Sequence, residues 1–94
     1  MQIHEILWLP EIVEKLERKH GIFPHEVREA LSNKPRIFFR ETGRVEGQHL
    51  YQALSRTDAG RYLAIFFISK SAGKALIISA RVMNQKERKR YGKK

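Results

Sequence analysis

Apolar positions change their spacing at Lys34. Before it, Ile12, Val13 and Leu16 recur at helical intervals, and so do Val27, Ala30 and Leu31. After it the apolar residues gather into short runs cut by Gly, Asp and Ser, the mark of strands and turns. QIHEILWL, ahead of the first helical stretch, reads as an opening strand. The first helix spans 10–20: Pro10 suits a first helical position, and Gly21 can take the left-handed position beyond the end. A second helix starts at Pro24, with acidic Glu26 in its first turn to suit the helix dipole, and fades by Asn33. PRIFFR, HLYQALS, RYLAIFFIS and ALIISARV predict four further strands, joined by turns at ETGRVEG, RTDAG and KSAGK. LAIFFI is apolar on both faces and belongs in the middle of a sheet. Turns this short impose antiparallel neighbours. Asn84, with Glu87 three residues on, forms a capping box for a short last helix. The order β-α-α-β-β-β-β-α predicts an α+β fold. Two N-terminal helices pack on one face of an antiparallel meander, and a short helix closes the chain.

Composition narrows the class. Ninety-four residues, 41% apolar and 31% charged, suit one globular domain over 1–94. Cysteine is absent, so neither a disulfide nor a thiolate metal site is available, and a reducing compartment suits the chain. MQIHEILWLPE lacks the regions of a signal peptide, and LAIFFI is too short to span a bilayer. A cytoplasmic protein without membrane attachment is expected. The net charge of +9 is unevenly spread. Residues 1–31 hold four Lys/Arg against six Glu, and residues 32–94 hold fifteen against four acids. This asymmetry predicts a polyanionic partner for the later part, with nucleic acid first, then an acidic protein.

The last strand and the basic segment after it carry the chemistry. Strict alternation puts Leu76, Ile78 and Ala80 on one face and Ile77, Ser79 and Arg81 on the other. If the first set meets the helices, Ser79 and Arg81 stand on the open face. There an arginine fork could hold a phosphate, or simply form a surface salt bridge. Residues 81–94 contain seven Lys/Arg and one Glu, which favours polyanion binding by Arg88, Lys89 and Arg90. Tyr91 shares a helix face with Arg88 and could stack on a base or pack on the sheet. Arg56 closes one strand and Arg61 opens the next. Arg61 and Arg81 should approach one rim, and without an obvious acidic partner for either they make sense around a phosphate. His20 falls four residues after Leu16, so it could close the helix or move protons near neutral pH; Lys19 is a solvated residue or a phosphate contact. His20 and His25 are five apart across a Gly and a Pro, which does not match a helical zinc pair. No metal or other cofactor is expected. No P-loop, dinucleotide fingerprint, nucleophile elbow or HExxH motif is present.

Three blocks, KHGI, YQALSRTDAGRYLAIFFI and IISARVMNQKERKRY, together resemble the BrnT family of type II toxin–antitoxin toxins. The resemblance runs from about Trp8 to Tyr91. It implies a RelE-like ribonuclease fold and metal-independent RNA cleavage by attack of a ribose 2′-OH on the adjacent phosphate. It also implies a cognate antitoxin over the basic surface, and a toxin–antitoxin assembly. Lys19, His20, Arg61, Ser79 and Arg81 match family positions and are assigned as catalytic; Glu87, Arg88 and Tyr91 match the C-terminal block, and Arg56, Arg88, Lys89, Arg90 and Tyr91 are assigned as RNA contacts. Arg61 and Arg81 would stabilise charge, and His20 or Lys19 would transfer protons. The first helix departs from the pattern, since Leu9, Ile12 and Leu16 stand where the family carries polar residues. That suits a more deeply buried helix. It also keeps open a second reading, an RNA-binding or antitoxin-binding module with the same fold and no cleavage.

Overall fold

The structure, a computed structural model, describes residues 1–45 and 47–93. Its elements take the expected order: β1 (Glu5–Leu7), α1 (Pro10–Lys15), α2 (Pro24–Ser32), β2 (Arg36–Glu41), β3 (Leu50–Arg56), β4 (Tyr62–Lys70), β5 (Lys74–Val82) and α3 (Gln85–Gly92). Glu46, inside the predicted turn at 41–47, and the terminal Lys94 lie outside the described residues.

Five strands form one sheet in the order β1-β5-β4-β3-β2. β2 to β5 make the antiparallel meander, and β4 with its continuous apolar run is central, as its two-sided pattern requires. β1 is shorter than predicted. It lies parallel to β5, with Glu5 opposite Lys74 and Leu7 opposite Leu76. The parallel pairing is possible because the rest of the chain intervenes between the two strands. At the β4–β5 turn, Gly73 has φ 71° and accepts a hydrogen bond from the His4 amide at 2.8 Å. A Cβ there would fall 2.4 Å from the exposed His4 ring, which would have to turn away, and φ 71° is itself strained for a residue other than glycine.

α1, the segment that follows it and α2 cover one face, burying Leu16, Ile22, Val27, Ala30 and Leu31 against Leu63, Ile65, Phe67, Ile77 and Ala80. Past Lys15 the helix widens into a π-turn over Leu16–His20 and ends at Gly21, φ 61°. The wider turn alters which residues share a face from the set that α-helical spacing selects. His20 leaves the core stripe and is exposed, while Ile22 is fully buried. Of the three apolar replacements in this segment, Leu16 is buried and Ile12 packs on the core, but Leu9 stays 38% exposed.

α3 lies on the opposite face, over Leu54, Ala64 and Met83. The strict alternation predicted for β5 fails. Phe66 pairs with Ser79 but Phe67 pairs with Ile77, so Ile78 is an extra residue. Ile77 and Ala80 consequently both face the helices, the reverse of the expected set for Ile77. Ser79 and Arg81 still point to the other face, because the bulge takes up the one-residue difference.

Candidate nucleic-acid interface

Arg81 projects from β5 next to the start of α3. Its two terminal nitrogens donate to the two oxygens of Glu87, at 2.5 and 2.7 Å. Glu87 is only 9% exposed and accepts two further bonds, from the Asn84 amide at 2.9 Å and from Gln52 Nε2 at 2.7 Å. Burial alone would push the Glu87 carboxyl up. The Arg81 side chain, the Asn84 amide and Gln52 outweigh it and hold the group below the ordinary glutamate range. The same hydrogen bond raises Arg81, against a smaller opposing effect of burial. Glu87 is thus a fixed anion with its lone pairs occupied, and Arg81, its side chain 37% exposed, has N–H groups beyond the two it gives to Glu87. The capping box predicted from Asn84 and Glu87 is present, and one of its members also anchors the arginine.

Around this pair Arg40, Gln52, Asn84, Lys86 and Arg90 line a cavity of about 300 Å³. The face continues beyond it through aromatic rings. Arg90 lies 3.6 Å over Phe38 and Arg88 4.1 Å over Tyr62, with Arg56 on Tyr62 at 5.8 Å. Tyr91 packs edge-on against Tyr62, which realises the sheet-packing alternative for that residue. Lys89 is exposed on α3. Arg36 Nη1 donates to the Arg90 carbonyl at 2.7 Å and to that of Lys93, and so holds the C-terminal end of α3.

Arg61 belongs elsewhere. It reaches the same end of the sheet as Arg81, as expected, but on the α1/α2 side. Its Nη1 donates to both oxygens of Glu26, at 2.9 and 2.8 Å, and to the Gly21 carbonyl at 3.0 Å. Each arginine therefore has the acidic partner that the sequence did not reveal: Glu26 lies 35 residues before Arg61, and Glu87 serves α3 as a cap as well as pairing with Arg81. Lys19 and His20, both exposed, adjoin Gly21 and so share a corner with Arg61. The five candidate catalytic residues fall into two groups, Lys19, His20 and Arg61 on one side of the sheet and Ser79 and Arg81 on the other. Arg40, Lys86, Gln52 and Phe38 join the face without having been singled out by sequence. The alternation Arg36-Phe38-Arg40 in β2 is the available signal, since it puts two arginines and a ring on one face.

No protein-family model matches the chain, and no curated protein does. A solved structure matches in shape: the crystal structure of BrnT, a ribonuclease toxin of Brucella abortus, with a TM-score of 0.62 at 19% identity. The fold is BrnT-like. The match covers 86% of this chain and 97% of that one. Among the described residues no helix is long and apolar enough to cross a membrane, and no group of three or more His, Cys, Asp or Glu is placed to hold a metal ion.

Proposed function

We propose that this chain is a toxin of BrnT type that acts on RNA through its α3 face and is neutralised by an antitoxin that covers that face. The observation that carries the reading is the concentration of Arg40, Arg81, Lys86 and Arg90 around one cavity on a BrnT-like fold. Such a cluster attracts a phosphate chain, and a carboxylate already committed to Arg81 repels it little. In cleavage by 2′-OH attack, a bond forms from O2′ to phosphorus and the bond to O5′ breaks. One proton leaves O2′, one reaches O5′, and the phosphate oxygens gain charge on the way. Arg81 faces that charge in this reading.

The second reading, RNA binding without cleavage, is favoured by one specific observation: Lys19 and His20, the proton-transfer candidates, stand on the other side of the sheet from Arg81. Incubation with total RNA in EDTA separates the two. Cleavage by the wild type, lost in Arg81→Ala and kept in His20→Ala, supports a ribonuclease centred on the α3 face. Salt-sensitive binding with no cleavage supports the second reading. Full cleavage by Arg81→Ala sinks the site assignment.

A further inference from the structure

Among the described residues, five arginine–ring contacts share the α3 face, and they are not alike. Arg36, Arg56 and Arg81 stand 5.7, 5.8 and 5.5 Å from their rings. Arg90 stands 3.6 Å from the centre of Phe38, at van der Waals contact. That is too close for an edge-on approach, in which an N–H would lie between the guanidinium carbon and the ring. The guanidinium therefore lies flat on Phe38. Its backbone is fixed as well, through the bond from Arg36 to the Arg90 carbonyl. Arg90 is exposed, so the other side of its plane faces solvent, and it forms part of the wall of the cavity that holds Arg40, Arg81 and Lys86.

We infer that this cavity is a subsite for one nucleotide of single-stranded RNA, its base stacked on the outer plane of Arg90 and its phosphate held by Arg40, Arg81 and Lys86. The inference rests on the RNA reading above and adds the form of the substrate. A flat cation backed by a ring offers a base a rigid platform at little ordering cost. A base inside a duplex has both faces covered by its neighbours and cannot use it. The cavity, about 300 Å³, is at the small end of ligand sites and suits one nucleotide rather than a helix.

The test uses three labelled probes whose riboses are 2′-O-methylated, so that none can be cleaved: a short oligoadenylate, its abasic counterpart of equal charge, and a duplex of equal length. Arg90→Lys keeps the charge and removes the plane. It should weaken oligoadenylate binding roughly fivefold or more, the lower end of what one stacked base contributes, with the abasic and duplex affinities changed by less than about twofold. Phe38→Leu, which removes the backing ring, should repeat that selectivity. Arg40→Gln should weaken all three probes and flatten the salt dependence. Equal losses on all probes in Arg90→Lys, or none, overturn the stacking subsite and leave the RNA reading intact. No binding of any probe by the wild type overturns both and points to an acidic protein as the partner of this face.

Discussion

Glu87 carries more contacts than its single place in a capping motif suggests. One carboxylate receives Arg81 through both oxygens, the Asn84 amide and Gln52, and so joins β5, α3 and β3. Its folded-state pKa lies below the ordinary glutamate range, so its stabilisation is complete above that range and is lost as pH falls through the folded value. Glu87→Gln keeps the cap geometry but ends the ion pair and leaves Arg81 without its counter-charge. It should cost about 1–3 kcal/mol at neutral pH. Urea titrations at a series of pH values should show the gap between variant and wild type holding from neutrality down to the ordinary glutamate range and closing below it. A gap that widens in acid would reverse the assignment.

Among the elements, the corner where α1 meets α2 depends on a residue outside both. Arg61 binds the Gly21 carbonyl and the Glu26 carboxylate, while Glu26 Oε1 accepts from the Phe23 amide at 3.1 Å. The contact ties the π-turn and the start of α2 to the entry of β4. Arg61→Ala should destabilise the fold by about 1 kcal/mol, the pair being partly exposed, as thermal unfolding would register. Its RNA affinity should stay within about twofold of the wild type, because solvent and salt screen one distant charge. A larger loss of binding at unchanged stability would restore Arg61 to the phosphate site. The elements themselves were largely readable. Helical spacing before Lys34, short apolar runs between turn residues after it and the Asn84–Glu87 spacing are local signals, and each marks an element that formed. What the sequence hid is relational. The parallel partner of β1, the bulge at Ile78 and the acids that meet Arg61 and Arg81 all depend on which residues lie side by side in space. The bulge shows this most clearly. Alternation assigned Ile77 to the open face, yet the same extra residue that overturned that assignment is what keeps Ser79 and Arg81 pointing outward.

On the scale of the molecule, the two faces of the sheet divide the work. α1 and α2, with most of the acidic residues of the first third, close the larger core, and the opposite face gathers the arginines of β2, β5 and α3 around a smaller one. That second face has a peculiar mechanical standing. α3 has eight residues, too few to hold a helix alone, and it is fastened at its start by Asn84 and Glu87 and at its end by Arg36 of the edge strand β2. A short helix fastened at its two ends, with only Tyr91 and the rings under Arg88 and Arg90 packed between them, is a unit that can detach from the sheet by itself. Native-state hydrogen exchange should therefore find the α3 amides opening well before those of β3, β4 and β5, and Arg36→Ala should speed them without altering the sheet. Uniform exchange across α3 and the sheet would mean that the helix leaves only when everything unfolds. If the helix does leave first, the complete cavity, with Lys86 and Arg90 beside Arg40 and Arg81, exists only for the fraction of time that α3 is seated, and a partner that holds α3 in place sets that fraction without touching a single arginine.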